Sequence, residues 1–302
     1  MTAADYPALY SSSSKASAGA QRKHLFLIRA QLFLLILASA AGSIAAAVGP
    51  SRSRQVSILT AIFLALSILL MWILRVQCYE KIWFDCRAVA ESVKTATWRY
   101  MMHAPPYDSD DVDANLDTRF IKELIEIREA RPGIDSHLAG FSSGGTEISG
   151  YMRKTRVLPL NDRRKIYLRE RLQDQKRWYE DKTRTNRTFA AVWFWTISAI
   201  QALALILAII NAATGSWSIN VVSIIMTLAA SFVAWTQVKR HDELIQPYGL
   251  ATQELNALES LQSHVSEPKK FQEFVTQVEE AISREHTMWC ARRNVLLEKK
   301  MQ

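Results

Sequence analysis

The sequence predicts an all-α membrane protein with four transmembrane helices in two short-loop hairpins, whose long helices extend into a cytoplasmic helical, coiled-coil-like region. Residues 188–238 contain no Asp, Glu, Lys or Arg, and the turn-like segment Ala213-Thr214-Gly215-Ser216 divides them. Two more uncharged stretches, Ala30–Val48 and Val56–Leu74, lie nearer the start of the chain. A helix rises about 1.5 Å per residue, so about 20 apolar residues cross a bilayer. We therefore expect spans at about 26–48, 56–76, 189–211 and 217–238.

The positive charge of the chain is concentrated just before the third span. The net charge is +8, and between Arg153 and Arg187 there are 13 Lys or Arg against 5 Asp or Glu. Basic residues beside a span favour the cytoplasmic side and anionic lipid headgroups. We expect a multi-pass protein of the cell inner (plasma) membrane with both termini in the cytoplasm. The candidate contacts to anionic lipid are Arg163, Arg164, Lys165, Lys182, Arg184 and Arg187.

Composition divides the chain into four segments. Residues 1–20 are rich in small side chains and are predicted to be a disordered tail. Residues 21–130 combine the first hairpin with cytoplasmic helices, and the glycine-rich residues 131–156 are interpreted as a linker. Residues 157–302 contain a basic entry helix, the second hairpin and C-terminal cytoplasmic helices.

Proline and glycine mark the expected ends of the helices. Neither occurs between residues 51 and 104, so span two is predicted to continue as one helix over Val56–His103. The same reasoning predicts a single helix over Asp162–Asn211 and an end to span four before Pro247. Two cytoplasmic helices are expected after it, over Tyr248–His264 and Pro268–Lys300, the second capped by Ser266.

Two stripes of mainly apolar residues follow the 4-3 spacing of heptad packing. The first consists of Ile82, Cys86, Val89, Val93, Ala96 and Tyr100. The second consists of Phe271, Val275, Val278, Ile282, Glu285, Trp289, Arg292 and Leu296. Each stripe can pack within one protomer or between subunits, and the spacing alone is compatible with both.

We find no catalytic constellation in the sequence. Gly140–Gly145 contains a G-x-S-x-G pattern around Ser142, but it lies in the predicted linker without the required strand–turn–helix context. A phosphate-binding loop, H-E-x-x-H and C-x-x-C are all missing. We therefore expect no enzyme activity, no cofactor and no metal ion. We also expect no nucleic-acid partner, because no groove-reading motif accompanies the basic residues.

Polar residues inside the third and fourth spans are the remaining candidates. In lipid such groups face a bundle interior or water rather than acyl chains. They can line a pore, or they can hydrogen-bond between helices that small residues bring close together. The interhelical role is favoured for most of them. These candidates are Gln201, Asn211, Asn220, Thr227 and Ser231.

Several dense motifs lie outside the spans. In the second half they are Tyr167-Leu-Arg-x-Arg-Leu-x-Asp-Gln-Lys-x-Trp-Tyr179 and Ala281-Ile-Ser-Arg-Glu-His-x-x-Trp-x-Ala-Arg-Arg293. In the first half they are Arg87-Ala-Val-Ala-Glu-Ser-Val-Lys-Thr95 and Thr97-Trp-Arg-Tyr100. Through these motifs the chain resembles the SLATT family, the two-transmembrane effector domains that associate with SMODS nucleotidyltransferases and SLOG sensors. The resemblance implies two such units in tandem.

The resemblance implies an oligomeric membrane effector of a bacterial defence system that forms or gates a pore. The sequence contains no nucleotidyltransferase or SLOG domain, so the expected partners are the bilayer, further copies of the chain, and a separate sensor protein or nucleotide-signal system. The alternative is a non-conducting scaffold that recruits partners through its helical stalk. Candidate assembly or gating residues are Arg177, Trp178, Arg284, Glu285, Trp289, Arg292, Arg293, Arg87, Glu91 and Trp98.

Overall fold

Most of the chain that the structure describes is helical. The computed structural model describes residues 1–108, 113–141, 144–215, 219–262 and 267–301, without the side chains of residues 113, 114 and 285–301. Within these ranges it contains helices α1 to α11 and no β-strand. The all-α prediction is confirmed.

The chain divides into two compact units. Met1–Gln21, Glu80–Thr183 and Gln246–Gln302 form the first, and Arg22–Tyr79 and Arg184–Ile245 form the second. All the long uncharged stretches belong to the second unit. We therefore call the second the membrane unit and the first the extramembrane unit.

Four helical stretches in the described part of the chain are long and apolar enough to cross a membrane. The first span belongs to α1 (Ala8–Ala47) and the second to α2 (Pro50–Gln77). Gly49 and Pro50 separate them, with Pro at the first helical turn, where its missing N–H costs nothing. The third and fourth spans belong to α8 (Gln173–Thr214) and α9 (Val221–Lys239). The prediction of four spans is confirmed.

Two helix breaks occur at residues that are neither Gly nor Pro. Cys78 (φ 45°) separates α2 from α3 (Tyr79–Met102), so the predicted single helix over Val56–His103 is wrong. Arg240 (φ 52°) separates α9 from α10 (His241–Leu261), which continues through Pro247. The expected helix end before Pro247 is therefore also wrong. One left-handed residue costs only about 1–2 kcal/mol, which tertiary packing can offset at many residue types.

The N-terminal residues are ordered, and the expectation of a disordered tail over residues 1–20 is wrong. A 3₁₀ turn at Ala3–Asp5 precedes α1, which begins at Ala8. Small side chains on one face of this helix are buried in the extramembrane unit, because their size lets the helix approach its neighbours closely. They are Ser12, Ser13, Ala16, Ser17 and Ala20.

The predicted linker at 131–156 is a packed part of the extramembrane unit. It follows α4 (Asp113–Glu129) and contains α5 (Asp135–Ala139) and α6 (Gly150–Arg156). The Arg156 guanidinium is buried and donates to the backbone carbonyls of Tyr100 and Tyr107. Apolar side chains scattered among the glycines supply the rest of the contacts, so the linker expectation is wrong. The buried ones are Ile134, Leu138, Ile148 and Met152.

The second half begins with α7 (Leu160–Tyr167), which joins α8 through a π-helical turn at Leu168–Leu172. The helix predicted from Asp162 therefore exists but carries one wider turn. The last helix, α11, covers Pro268–Met301. Ser266, its predicted cap, lies outside the described residues.

The described side chains of both apolar stripes are buried within the extramembrane unit, except for the half-buried Ile82. Cys86, Val89 and Val93 are at most 1% exposed, and Ala96 and Tyr100 are also buried. Along α11, the buried members are Phe271, Val275, Val278 and Ile282. This stretch of each stripe packs inside one protomer. The remaining positions of the second stripe, from Glu285 onward, lie outside the described side chains.

The ordered N-terminus leads to a first prediction. The Trp98 indole N–H donates to the Tyr6 hydroxyl at 3.0 Å, and Trp98 is fully buried. Replacing Tyr6 with Phe leaves this N–H without an acceptor, and we expect a loss of about 1–3 kcal/mol of stability. Thermal unfolding of the purified protein measures the loss.

The control is Tyr79→Phe, since the described residues offer no hydrogen-bond partner to the Tyr79 hydroxyl. Equal melting temperatures for wild type, Tyr6→Phe and Tyr79→Phe would mean that residues 1–7 do not pack on the extramembrane unit.

Candidate functional site

A fully buried ion pair lies at the centre of the extramembrane unit. Arg171, in the π-helical turn, places its Nη2 2.6 Å and its Nε 2.9 Å from the carboxylate oxygens of Glu279 on α11. The side chains are 2% and 0% exposed. The same carboxylate accepts hydrogen bonds from the hydroxyls of Tyr167 and Thr95, each at 3.0 Å. One carboxylate thus connects α3, α7, the π-helical turn and α11.

The Glu279 carboxylate favours the charged form of Arg171. Burial opposes the charge of Arg171, but the adjacent Glu279 carboxylate outweighs burial and raises the pKa of the guanidinium. Burial, together with the Glu279 charge, raises the pKa of Tyr167 well above its ordinary value. Tyr167 therefore stays protonated and donates to the carboxylate. Two charges removed from water remain stable only when they are paired and hydrogen-bonded; here Nε and Nη2 of Arg171 are paired, whereas Nη1 is buried without a hydrogen-bond partner among the described residues.

A polar cavity of about 320 Å³ lies in the same unit. Thr95 lines it and also donates to Glu279, so the cavity and the ion pair share a side chain. The wall combines hydroxyls and aromatic rings with side chains of both charges. The charged members are Arg87, Glu91, Lys94 and Asp174; the aromatic members are Tyr10, Trp83, Trp178 and Tyr179.

Cations surround one aromatic ring of this wall. The Arg87 guanidinium carbon lies 6.0 Å from the centroid of Trp178, and the Lys182 ammonium lies 5.6 Å from it. Lys94 is 3.9 Å from Glu91. Burial lowers the pKa of Lys94, and the Glu91 carboxylate opposes that shift. The cavity can therefore receive a polar or charged group from solution or from a partner.

The structure brings together three of the predicted assembly or gating residues. Arg87 and Glu91 on α3 and Trp178 on α8 line this one cavity. Trp98, also predicted as an assembly or gating residue, is fully buried in the core of the protomer instead. A bulky indole with one N–H is buried readily once that N–H has an acceptor.

The other predicted assembly residues lie away from the cavity, or their side chains are outside the part that the structure describes. Arg177 is exposed, 3.9 Å from Asp174, and Arg284 is exposed, 3.1 Å from Glu254. Both pairs are of the surface type that contributes little to stability. The side chains of Glu285, Trp289, Arg292 and Arg293 lie outside the described residues.

The predicted lipid contacts divide into two groups. Arg163 and Arg164 are half-buried and donate to the backbone carbonyls of Leu158 and Gln262. These hydrogen bonds direct part of each guanidinium toward the protein, and the lipid contact of both residues remains a prediction. The remaining four residues are exposed: Lys165, Lys182, Arg184 and Arg187.

Hydroxyl groups connect the first and fourth spans inside the membrane unit. Ser43 Oγ lies 3.2 Å from the Asn220 carbonyl oxygen and 3.0 Å from Ser223 Oγ. Further along, Ser39 Oγ lies 3.0 Å from Thr227 Oγ1. We call these residues the hydroxyl ladder. It satisfies polar groups in a region without water and holds α1 against α9.

The polar span candidates occupy different environments. The Asn220 side chain caps α9 by accepting from the Ser223 backbone N–H, and the buried Ser231 hydroxyl donates to the Thr227 carbonyl. Asn211 is half-buried. Gln201, by contrast, is exposed on α8. Its primary amide therefore points away from the interior of the protomer.

The sequence reasoning missed the carboxylate of the central ion pair. Glu279 lies four residues after Val275 and three before Ile282, so it falls on the apolar face of α11. A charged residue at such a position signals a buried partner. Arg171 and Tyr167 belong to the quoted motif in the second half, but their partner was not identified. Among the described residues, no group of three or more His, Cys, Asp or Glu side chains could hold a metal ion.

Family models match the two halves of the sequence separately. Residues 7–164 match SLATT_3, the SMODS and SLOG-associating 2TM effector domain 3. Residues 167–289 match SLATT_1, the SMODS and SLOG-associating 2TM effector domain 1. The first match alone covers more than half of the 302 residues. Comparison with curated proteins and with solved structures gave no match.

The buried ion pair leads to a second prediction. Replacing Glu279 with Gln leaves the Arg171 guanidinium buried without a counter-charge, and we expect a loss of about 3–5 kcal/mol. The measurement is denaturant or thermal unfolding in detergent. The double variant Arg171→Met/Glu279→Leu removes both charges and should recover much of this loss.

The matched control is Arg284→Met/Glu254→Leu, which removes an exposed pair and should change stability by less than about 1 kcal/mol. If Glu279→Gln destabilises no more than this control, the pair does not hold the unit together.

Proposed function

The chain belongs to the SLATT family of two-transmembrane effector domains, of which it carries two in tandem, and we propose that it is an oligomeric effector that forms or gates a membrane pore. SLATT effector domains are associated with defence, or conflict, systems. The chain is a membrane protein by its four candidate spans and by its family. Its proposed action is on the permeability of the bilayer, without catalysis.

The exposed amide of Gln201 is the observation that carries this proposal. Gln201 lies 13 residues after Thr188, the first residue of the uncharged run, which is about 20 Å along the helix. This depth is well inside the hydrocarbon core. An amide facing lipid there lacks hydrogen bonds and costs several kcal/mol. Neighbouring copies of the chain, or a water-filled lumen between them, would remove this cost.

The rest of the membrane unit supports assembly. In an apolar 18-residue stretch of each candidate span, only 6% to 11% of the residues are buried inside the protomer. In the hydroxyl ladder, the polar groups between α1 and α9 hydrogen-bond to one another. Gln201, by contrast, lies on an outward surface. A protomer with one satisfied interface and one polar outward surface is suited to a ring of identical copies.

The polar cavity is the proposed input for gating. Arg87, Glu91 and Trp178 line it, and Thr95 connects it to the buried ion pair. A signal that binds in the cavity would therefore contact the side chains on which the packing of α3, α8 and α11 depends. We propose that a separate sensor protein or a nucleotide signal supplies it.

The proposed location is a bacterial inner membrane with both termini in the cytoplasm. The basic residues that flank the spans support this orientation, since they favour the cytoplasmic side. On this topology the extramembrane unit faces the cytoplasm, where a sensor would reach the cavity.

The third prediction concerns flux through the assembled protein. We expect purified protein in liposomes to release a small trapped dye or ions, and its expression to depolarise cells. Gln201→Leu should abolish or strongly lower the flux without lowering the melting temperature, because an apolar lining favours dewetting of a lumen. Gln201→Asn keeps the amide and should retain flux.

Thr227→Val is the matched control, because it removes a hydroxyl from the ladder instead of from the outward surface. It should cost about 0.6 kcal/mol, the average for a membrane hydrogen bond, and leave the flux per oligomer unchanged. A stable wild-type oligomer that neither conducts nor depolarises cells would instead be a scaffold. If Gln201→Leu oligomers conduct as well as the wild type, Gln201 does not line the lumen.

A further inference from the structure

The polar cavity contains a mostly buried amine. Lys94 on α3 is the one lysine among the described residues that line this cavity of about 320 Å³. Its side chain is 23% exposed, so most of it is removed from bulk water. The Glu91 carboxylate lies 3.9 Å from the Lys94 nitrogen, which is too far for a hydrogen bond. Within the part of the chain that the structure describes, this nitrogen therefore has an ion-pair partner but no hydrogen-bond acceptor.

The surroundings of Lys94 increase the neutral fraction of its amine. Burial lowers the pKa of Lys94, and the positive charge of Arg171 also lowers it. The carboxylates of Glu91, Glu279 and Asp174 oppose this change, but the net shift of the pKa is downward. An ordinary lysine has a pKa near 10.4, so only about one amine in a thousand is neutral near pH 7.4. Lys94 exceeds this fraction, and the neutral amine is the nucleophilic form.

A buried donor without a partner lies near this amine. Nε and Nη2 of Arg171 pair with Glu279, whereas Nη1 is buried and has no hydrogen-bond partner among the described residues. Nη2 also lies 3.5 Å from the Thr95 hydroxyl, which lines the cavity next to Lys94. A buried donor without an acceptor destabilises the folded state. An acceptor added on the cavity side of Arg171 would therefore stabilise this unit.

The size of the cavity and the unpaired donor together favour one electrophile, carbon dioxide. A water molecule takes about 30 Å³ in the liquid, so this cavity has room for a three-atom molecule beside ordered water. Carbon dioxide is neutral, so it enters without the cost of burying a charge. Its product with an amine carries a carboxylate, which is the group that the guanidinium fork of Arg171 binds best.

We propose that Lys94 is a carboxylation site, at which carbon dioxide converts the amine into a carbamate that faces the Arg171 guanidinium. The ammonium group first releases one proton to water. The nitrogen lone pair then forms a bond to carbon, one C–O π bond breaks, and its electron pair stays on oxygen. A second proton leaves the nitrogen for water. In sum, R–NH₃⁺ and CO₂ give R–NH–COO⁻ and two H⁺, without an oxidant or a leaving group.

This reaction reverses the charge at position 94. The positive ammonium becomes a negative carbamate, whose oxygens supply the acceptor that Nη1 of Arg171 lacks. The negative charge also repels Glu91, which paired with the ammonium before the reaction. The cavity would thus respond to carbon dioxide. The chemistry at Lys94 does not depend on pore formation.

The test uses the full-length protein in detergent, equilibrated at constant pH with carbon-13-labelled carbon dioxide and bicarbonate. Triethyloxonium tetrafluoroborate then ethylates carboxylates, which traps the labile carbamate as its ethyl ester. Mass spectrometry of the digested protein should find the labelled ethoxycarbonyl group on Lys94. Lys122, an exposed lysine of α4, is the control within the same sample and should carry little or no label.

Two variants separate the amine from its charge. Lys94→Arg keeps the positive charge and removes the nucleophilic amine, so it should lose the label. Lys122→Arg is the matched control and should keep the label on Lys94. At constant pH, carbon dioxide should raise the melting temperature of the wild type, because the paired carbamate forms only in the folded state. The melting temperature of Lys94→Arg should not change with carbon dioxide.

Two results would overturn the proposal. The first is a wild-type protein in which Lys94 carries no label, or no more label than Lys122, and this result requires no variant to fold. The second is a wild-type melting temperature that carbon dioxide leaves unchanged, which would mean that no carbamate pairs with Arg171.

Discussion

Polar groups that have been removed from water must be paired, and each unit of this protein meets that constraint in its own way. In the extramembrane unit, the Glu279 carboxylate accepts from Arg171, Tyr167 and Thr95 and so connects its helices. In the membrane unit, the hydroxyl ladder pairs polar groups of α1 and α9. The proposed assembly follows from Gln201, whose amide is exposed on an outward surface at a depth well inside the hydrocarbon core.

The same constraint relates the polar cavity to the proposed function. The polar cavity shares Thr95 with the buried ion pair, so a group bound in it can act on the packing of the extramembrane unit. The proposed effector would therefore respond to a signal that binds in this cavity.

The corrections to the sequence predictions share a physical cause. The helix breaks at Cys78 and Arg240 occur at residue types that give no local signal, because many residues adopt one left-handed conformation when packing stabilises it. Residues 1–20 and 131–156 have tail-like and linker-like compositions, yet small or isolated apolar side chains bury them. Trp98 was listed among the assembly or gating residues and lies in the core. In each case the missing information was the position of a distant part of the chain.

The sequence by itself determined the all-α class, the four spans, the tandem family assignment and the residues that form the apolar stripes. These features depend on local hydropathy, helical periodicity and motif spacing, which one segment contains without its neighbours. Only the tertiary structure decided that the described part of the stripes packs within one protomer, that Arg171 pairs with Glu279, and that Arg87, Glu91 and Trp178 share a cavity. Such pairings join residues far apart in the chain. The periodicity of one helix shows which of its faces is apolar, but it cannot identify the helix that packs against that face.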